Sequence, residues 1–288
     1  MLPWPTIGPM KYRSTPMPAS SQNAWAAQLA SDLVAAVKPP LIHWALQCAD
    51  MLVPPACVAC RLPLVEHDTL CPACWLQIDF IRAPLCDRLG IPMPYGTDQP
   101  MISARAAADP PDYDRARAVA SHGGLMRDLV HRLKYGDQQH VVRLLTRLLE
   151  DPGRDLLAGC DILIPIPLSR RRLWQRGFNQ AAVLAKALQR RTGVAYDPLL
   201  LERRRDTASQ VGMTREQRQD NVRGAFKIAD GSKGALRGKR VLLIDDVITT
   251  GATMNAAART LRRAGAAHID ALALSLVTSD GPDRRLER

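Results

Sequence analysis

Residues 241–253, VLLIDDVITTGAT, bring together side chains that could bind a polyhydroxylated ligand. Four apolar residues run directly into Asp245 and Asp246. Carboxylates are acceptors, so this pair suits the hydroxyl groups of a sugar, bound directly or through a cation. Two adjacent ionised carboxylates repel each other, and holding both at the end of a strand costs free energy unless a ligand uses them. We therefore interpret the pair as a binding feature.

A turn rich in hydroxyl groups follows the acidic pair, with Thr249, Thr250, Gly251, Ala252 and Thr253 leading into a predicted helix. Backbone N–H groups, threonine hydroxyls and the partial positive charge of a helix N-terminus together predict a phosphate-binding loop. The glycine permits close approach of the backbone to the ligand. An acidic pair and a phosphate loop this close together fit a ribose 5-phosphate. An alternative is that Thr249 merely caps the helix.

Four cysteines form two Cys-x-x-Cys pairs and are the candidate metal ligands: Cys57, Cys60, Cys71 and Cys74. Two such pairs can complete the closed tetrahedral site of a structural Zn²⁺ ion. A segment this short buries too little apolar surface to fold alone, so the metal would have to hold it together. Two alternatives stay open: four thiols that never meet, or a redox pair, which needs only one Cys-x-x-Cys.

The remaining cysteines and the chain start bear on location. Cys86 is a candidate fifth ligand, whereas Cys48 and Cys160 are predicted to be core thiols. No apolar run reaches the roughly 18–20 residues needed to span a bilayer. The first residues lack the charged-then-apolar pattern of a secretion signal. We therefore predict a cytoplasmic protein without a transmembrane segment, where cysteines favour metal binding or burial over disulfides.

A basic stretch forms a second candidate binding region. The apolar segment 161–167, DILIPIP, is followed by Arg170, Arg171 and Arg172, and Arg176 precedes the next predicted helix. Forked hydrogen bonds from guanidinium groups suit an oxygen-rich dianion such as pyrophosphate. The alternative is a solvated basic face.

Residues 202–226 form a long polar segment with arginines throughout. Long loops in α/β enzymes often act as lids. A lid here could close over a pyrophosphate and keep water away from a cationic sugar. A basic loop without a closing role is the alternative.

The elements that must position these residues alternate between strand and helix. Four apolar segments read as strands: ARAVASH, DILIPIP, VLLID and AHIDALALSLV. The segments between them have helical spacing: LMRDLVHRLKYGD, VVRLLTRLLE, residues 178–191 and ATMNAAARTLRRAG. This order predicts an α/β fold with a mostly parallel, doubly wound sheet. Ligands bind such sheets at the carboxyl ends of the strands, where Asp245 and Asp246 stand.

We predict four parts along the chain. They are a flexible leader over residues 1–40 with a possible helix at 24–37, a zinc-ribbon module over 41–92, a linker over 93–112 and the α/β domain over 113–280. The 288 residues carry a net charge of +11, which favours polyanionic partners such as phosphates, nucleic acid or anionic lipid. A surface rich in solvated arginine would give the same charge.

The Asp-Asp pair followed by Thr-Thr-Gly-Ala-Thr resembles the phosphoribosyltransferase signature. The resemblance implies a type I phosphoribosyltransferase-like fold for residues 113–280. It also implies that Asp245 and Asp246 bind the ribose hydroxyls of phosphoribosyl pyrophosphate, and that residues 249–253 hold its 5′-phosphate. Mg²⁺ would accompany that ligand.

The whole pattern over residues 45–278 resembles the ComF competence family, which includes the GntX-type proteins. The matching motifs are the double Cys-x-x-Cys, Lys134-Tyr135-Gly136, Pro165-Ile166-Pro167-Leu168, Arg176-Gly177-Phe178-Asn179-Gln180, Arg205-Asp206-Thr207-Ala208-Ser209-Gln210 and the acidic signature. The resemblance implies Asp245, Asp246 and Arg205 as catalytic residues. Many members carry a third cysteine pair, of which Cys86-Asp87-Arg88-Leu89-Gly90 keeps only the first cysteine, so a second zinc site is in doubt.

Three functions remain open from the resemblance. The protein could transfer a phosphoribosyl group, or bind phosphoribosyl pyrophosphate as a sensor without turnover. It could also bind single-stranded DNA and work with DNA-uptake proteins, using its basic charge and the aromatic side chains of Trp75, Trp174 and Phe178. No acceptor-selecting region is recognisable in the sequence, which favours ligand binding over turnover.

Overall fold

The computed structural model describes residues 54–97, 99–135, 139–204, 224–232 and 234–278. Several predictions lie outside these residues: the leader with its helix at 24–37, Cys48, Arg205 with most of the segment 202–226, and the tail after residue 278.

Seven strands occur in the described part of the chain: β1 (Arg115–Ser121), β2 (Ile162–Pro165), β3 (Ala195–Tyr196), β4 (Leu201–Arg203), β5 (Phe226–Ile228), β6 (Arg240–Ile248) and β7 (His268–Leu276). Five of them form one sheet in the order β1-β7-β6-β2-β3, and every neighbouring pair in it is parallel. β4 and β5 form a separate antiparallel pair. The predicted α/β fold with a mostly parallel sheet is confirmed.

Seven helices are described: α1 (Pro72–Trp75), α2 (Ala104–Ala108), α3 (Gly124–Tyr135), α4 (Gln139–Ala158), α5 (Arg170–Arg176), α6 (Gln180–Thr192) and α7 (Ala252–Arg263). Alternate residues of β6 point to opposite faces, so Leu242 packs with α3, α4 and α6, whereas Leu243 packs with α7. Helices therefore cover both faces of the sheet, as a doubly wound fold requires. No helix among the described residues has the length and apolarity needed to cross a bilayer.

The short helix α5 was not predicted from the sequence. Its N-cap is Ser169, whose hydroxyl accepts a hydrogen bond from the Arg172 N–H at 3.4 Å. It ends at Gly177, which has a φ of 77° and so adopts the left-handed conformation that glycine tolerates. The arginines that follow β2 are therefore arranged on a helix rather than along an extended exit.

The residues before β1 share the core of the sheet domain. Val58, Leu70 and Ile78 belong to the same buried cluster as α3 and α4, and Ile81 belongs to the cluster on the other face. The segment predicted as a linker, residues 93–112, contains α2. Its residue Met101 forms an isolated β-bridge with Cys86. The predicted domain boundaries themselves remain a prediction.

Candidate functional site

An open cavity of about 770 Å³, including solvent at its mouth, lies at the carboxyl end of β6. The end of β6 and the start of α7 supply much of its lining, and the loop after β2, α5, α6, β4 and α3 supply the rest. The described lining residues are Lys134, Ile166, Pro167, Leu168, Arg172, Arg176, Asn179, Gln180, Ala181, Arg203, Asp245, Asp246, Val247, Ile248, Thr249, Gly251, Thr253 and Met254. The cavity thus lies where ligands bind in parallel α/β sheets.

The acidic pair lines the cavity as a coupled unit. The Asp246 N–H donates to Asp245 Oδ1 at 2.8 Å, which holds the two residues in register. Burial, followed by the charge of Asp246, raises the pKa of Asp245 well above its ordinary value. Lys134 Nζ lies 3.1 Å from Asp246 Oδ2. β6 continues to Ile248 and therefore carries two carboxyl groups close to its end, one of which is paired with a cation.

The hydroxyl-rich turn places three of its five residues at the cavity: Thr249, Gly251 and Thr253. Gly251 is the N-cap of α7 and has a φ of 79°. Thr250 and Ala252 serve the turn itself, because the Thr250 hydroxyl accepts from the Ala252 N–H at 3.4 Å and Ala252 is buried. The alternative role of Thr249 as the helix cap is wrong. The N-cap Gly251 has no side chain, so the N-terminal N–H groups of α7 other than that of Ala252 can serve an anion.

The predicted arginines divide between the cavity and solvent. Arg172 and Arg176 line the cavity, whereas Arg170 and Arg171 are exposed and are not among its described lining residues. Residues four apart share one face of a helix, and α5 turns Arg172 and Arg176 toward the same side. The structure thus brings two of the four candidate arginines, Arg172 and Arg176, to the cavity that holds the acidic pair.

Asn179 and Gln180 fix the start of α6 beside the arginines. Asn179 caps the helix through the Ala181 N–H at 3.1 Å and donates to the Ile166 carbonyl at 3.0 Å. Arg176 Nη1 donates to Gln180 Oε1 at 3.0 Å. Gln180 is buried, and its Nε2 has no hydrogen-bond partner among the described residues. An acceptor atom of a ligand would satisfy that amide.

Sequence reasoning assigned no role to Lys134 beyond a family motif, and it missed Arg203. Lys134 lies in the last turn of α3, far from the acidic pair in sequence, and Arg203 belongs to β4. Among the described lining residues, four cations face two carboxylates: Lys134, Arg172, Arg176 and Arg203 against Asp245 and Asp246. The cavity is therefore suited to an anionic ligand.

The four predicted metal ligands come together in the structure. The Sγ atoms of Cys57, Cys60, Cys71 and Cys74 all lie within 4.8 Å of one another. Burial opposes ionisation of Cys57, but hydrogen bonds from neighbouring backbone N–H groups outweigh it and lower the pKa to about 6. Burial and the other three thiols raise the pKa of Cys74 to about 12. The cluster fits a soft divalent cation, which would favour the thiolate form of all four.

The other described cysteines stand apart from this cluster. Cys86 is buried, and its Sγ accepts a hydrogen bond from the Ser103 N–H at 3.2 Å. It is not one of the described thiols that cluster within 4.8 Å of one another, so the prediction of a fifth ligand is wrong. Cys160 is partly buried, and burial raises the pKa of its thiol to about 11.

The aromatic residues proposed for stacking differ in exposure. Trp174 on α5 is 88% exposed, and Trp75 is 41% exposed with its ring centroid 4.7 Å from that of Phe80. Phe178 is partly buried. Exposed Arg170 and Arg171 share α5 with Trp174, which makes this helix a basic and aromatic surface beside the cavity.

Two family models match the chain. The double zinc ribbon domain matches residues 48–106, and the phosphoribosyl transferase domain matches residues 175–287. The first range contains the four-thiol cluster, and the second contains the acidic pair and the hydroxyl-rich turn.

Several proteins are similar to this chain. The DNA utilization protein YhgH of Shigella flexneri is 31% identical over 76% of this chain and 96% of its own length. Competence protein F of Haemophilus influenzae is also 31% identical, over 76% of this chain and 96% of its own length. Among solved structures, the purine phosphoribosyltransferase of Pyrococcus horikoshii Ot3 is 21% identical, with a TM-score of 0.29, over 49% of this chain and 78% of that one.

Proposed function

Because this chain belongs to the ComF family, with the DNA utilization protein YhgH and competence protein F, we propose that its cavity binds phosphoribosyl pyrophosphate. One observation carries the proposal. The acidic pair, the N-terminus of α7 and a group of cations all line one cavity at the carboxyl end of β6. A sugar with hydroxyls, a monophosphate and a pyrophosphate needs these three kinds of partner.

Each group of the cavity has a part of this ligand to bind. Asp245 and Asp246 accept hydrogen bonds from the ribose 2′- and 3′-hydroxyls. The 5′-phosphate is held by the N-terminal amides of α7 and the hydroxyls of Thr249 and Thr253, and Gly251 leaves room for close approach. Mg²⁺ prefers oxygen ligands, so the carboxylates of Asp245 and Asp246 would help to hold it, and it would supply positive charge beside the pyrophosphate.

The pyrophosphate is the part assigned to the basic side. Arg172 and Arg176 present guanidinium groups from one face of α5, and these can form forked hydrogen bonds with phosphate oxygens. Gln180 Nε2 offers a further donor beside Arg176. Arg205, assigned as catalytic by the family resemblance, lies outside the described residues, and its role stays a prediction.

Transfer of the phosphoribosyl group would require an acceptor amine or base. In that reaction the bond from the ribose C1 to the pyrophosphate oxygen breaks, and the pyrophosphate leaves with the electron pair. A bond from the ribose C1 to the acceptor nitrogen forms, and that nitrogen loses a proton. The residues of the cavity would act mainly by position and charge, since the leaving group is already good.

We also propose that the four thiolates of the N-terminal ribbon hold a structural Zn²⁺ ion. A closed set of four sulfur ligands leaves no position for substrate, which is typical of structural sites. Zinc analysis of the purified chain is expected to give one zinc per chain, lost when Cys71 is replaced by serine.

Calorimetric titration with phosphoribosyl pyrophosphate and Mg²⁺ tests the ligand proposal. We expect saturable binding by the wild type and no detectable binding by the double variant Asp245→Asn, Asp246→Asn. Arg170→Gln, which changes an exposed arginine away from the cavity, is the matched control and should bind like the wild type. Absence of binding by the wild type would refute the proposal. Release of pyrophosphate with an added amine or base would separate transfer from sensing.

Thermal melting of the wild type and of Asp245→Asn at several pH values tests whether this variant is folded. The folded-state pKa of Asp245 is raised, so its protonated form is favoured in the folded chain. The wild type therefore loses stability as pH rises from about 4 through that raised pKa, and Asp245→Asn does not. The melting temperature of the variant relative to the wild type should be higher at pH 8 than at pH 5.

Single-stranded DNA is a second candidate ligand, favoured by the exposed Trp174 beside Arg170 and Arg171 on α5. Bases stack on exposed aromatic rings, and guanidinium groups pair with the strand backbone. Trp174→Ala with Arg170→Gln and Arg171→Gln should weaken binding of a labelled oligonucleotide and reduce its salt dependence. Oligonucleotide affinity and salt dependence equal to those of the wild type would exclude this surface.

A further inference from the structure

The zinc ribbon and the cavity are separate in the structure. None of the described residues before Gly124 lines the cavity. A helix nevertheless joins the two regions. The buried face of α3 belongs to the same hydrophobic cluster as the ribbon, and its last turn supplies Lys134 to the cavity.

Lys134 of α3 forms an ion pair with Asp246 of β6. Its Nζ lies 3.1 Å from Asp246 Oδ2, and both side chains are largely shielded from solvent, at 22% and 16% exposure. An ion pair at this depth is stronger than one on the surface. Without it, Asp246 would lie unpaired beside Asp245, with like-charge repulsion and burial acting together.

α3 contacts the ribbon as well as α4 and β7. Leu129 and Leu133 are buried in the same cluster as Val58 and Leu70 of the ribbon. Arg132, two residues before Lys134, donates through Nη1 to the Val58 carbonyl at 2.8 Å. The final turn of α3 is therefore held from one side by the ribbon backbone.

The carbonyl that holds Arg132 belongs to the metal-binding turn. Val58 follows Cys57 directly, and its N–H donates to the Thr69 carbonyl at 3.0 Å, which joins the two cysteine pairs. The Cys71 N–H donates to Cys57 Sγ at 3.3 Å. Because these contacts close the four-thiol site, loss of the metal would release the Val58 carbonyl and the end of α3 with it.

We propose that Lys134 is a positioning residue for Asp246 and that the zinc ribbon sets its place through α3. The ribbon thereby contributes to ligand binding in the cavity without touching the ligand. Lys134 holds the Asp246 carboxylate in the orientation that a ribose hydroxyl needs. This inference rests on the proposed phosphoribosyl pyrophosphate site for its functional part.

Amine labelling tests the placement of Lys134 without any ligand. Full-length zinc-loaded protein is given a short pulse of an amine-reactive ester, and mass spectrometry of peptides compares Lys134 with the exposed Lys186 on α6. The contact with Asp246 inside the cavity shields Lys134 Nζ from the ester, so Lys134 should react slowly in the wild type and several-fold faster in Asp246→Asn.

Two changes that weaken the contact between the ribbon and α3 should also increase the labelling of Lys134. Removal of zinc with a chelator and the substitution Arg132→Gln, which leaves the metal ligands intact, should each raise the labelling of Lys134 several-fold. Asp68→Asn is the matched control, because Asp68 joins the ribbon to His140 and Arg143 on α4 and not to α3. If Arg132→Gln labels at the wild-type rate, the placement by the ribbon is wrong, even where chelation unfolds the chain.

Calorimetry then tests the consequence for the ligand. Lys134→Met should weaken binding of phosphoribosyl pyrophosphate with Mg²⁺ about ten-fold, the scale of one charge-assisted hydrogen bond, and Lys134→Arg should restore most of it. Equal affinity of Lys134→Met and the wild type would refute the role of Lys134 and leave the proposed function intact. Absence of binding by the wild type would refute the proposed function. The labelling experiment would then still test whether the ribbon positions Lys134.

Discussion

The described residues before β1 contain two segments with the same backbone design, one with four cysteines and one with a single cysteine. We call residues 55–76 the first ribbon and residues 84–108 the second ribbon. In the first, the Cys57 N–H donates to the Leu62 carbonyl at 2.8 Å and the Arg61 N–H donates to the Cys57 carbonyl at 2.9 Å. In the second, the Cys86 N–H donates to the Ile91 carbonyl and the Gly90 N–H donates to the Cys86 carbonyl, both at 2.8 Å. Isolated antiparallel bridges flank both turns: Ala56 with Pro63, and Leu85 with Pro92.

This repeat identifies the counterparts of the metal ligands. The Cys71 N–H donates to Cys57 Sγ at 3.3 Å, and the Ser103 N–H donates to Cys86 Sγ at 3.2 Å. Cys71 and Ser103 are also the N-caps of α1 and α2. The four positions are therefore Cys57, Cys60, Cys71 and Cys74 in the first ribbon, and Cys86, Leu89, Ser103 and Ala106 in the second.

The second ribbon replaces the metal with hydrogen bonds and contacts to β1. The Ser103 hydroxyl accepts from the Ala106 N–H at 3.2 Å, so it caps α2. Asp87 pairs with Arg117 of β1 at 2.6 Å. A Cβ on Gly90 would lie 2.5 Å from the Ala116 carbonyl oxygen, which shows how closely the turn approaches the strand. The same turn can therefore be held by a metal or by a neighbouring sheet.

Removal of a metal ligand should have the largest effect on this comparison. Cys74→Ser breaks the four-thiol site and should cost at least ~4 kcal/mol of the free energy of unfolding, because structural zinc binding is part of the folding free energy. That corresponds to a fall of roughly 8–16 °C in melting temperature for a chain of this size. Zinc content and thermal melting measure both consequences.

Ala106→Ser is the matched control for that change, because Ala106 is the counterpart of Cys74. It adds one hydroxyl to a buried site and should leave zinc content unchanged, with a cost of about 1–3 kcal/mol for a buried polar group. Equal losses of stability and of zinc in the two variants would contradict the division between a metal-held and a packed ribbon.

The alternation of strands and helices, the acidic pair at the strand end and the four thiols all follow from local patterns. Val241, Leu242, Leu243 and Ile244 had to be a buried strand, and a parallel sheet places the next residues at its ligand-binding edge. Spacing within each Cys-x-x-Cys pair is likewise a local property. These features needed no knowledge of distant contacts, and they were predicted.

Other features of the site depend on contacts between distant segments. Lys134 meets Asp246 because of how α3 packs on the rest of the domain, which no local pattern in either segment reveals. Arg172 and Arg176 share a face only once α5 is known to be a helix. The second ribbon was not predicted from the sequence, because Ser103 and Ala106 are not cysteines. In addition, Ser103 is farther along the sequence from Cys86 than Cys71 is from Cys57.

Gly90→Ala should give the second-largest effect and tests the contact of the second ribbon with β1. The alanine would need a φ of 67° and would place its Cβ against the Ala116 carbonyl oxygen. We expect a cost of about 2–4 kcal/mol, measured by denaturant unfolding. Arg61→Ala, at the equivalent position of the first ribbon, should change stability by less than about 0.5 kcal/mol, because a side chain already occupies that conformation. Equal costs would show that the two turns have similar surroundings.

Restoring the missing ligands should convert the second ribbon toward the first. The triple variant Leu89→Cys, Ser103→Cys, Ala106→Cys joins three new thiols to Cys86 at the equivalent positions. We expect the zinc content to rise by one equivalent. The net stabilisation should be only about 1 kcal/mol, since metal binding is offset by the loss of the Ser103 cap and of Leu89 packing. The same variant with Cys86→Ala is the control, and an unchanged zinc content in the triple variant would refute the equivalence of these positions.

Arg61→Gly should have the smallest effect and tests the comparison in the opposite direction, by giving the first ribbon the glycine of the second. Arg61 holds a φ of 67° with an exposed side chain, and this conformation costs roughly 1–2 kcal/mol for a residue with a Cβ. Glycine removes that cost but adds about 0.4–1 kcal/mol of chain entropy to the unfolded state. The difference predicts a gain of about 0.5 kcal/mol in denaturant unfolding of the zinc-loaded chain. A loss of stability would mean that the arginine side chain contributes to the metal-held turn, and the two ribbons would then differ in more than their metal ligands.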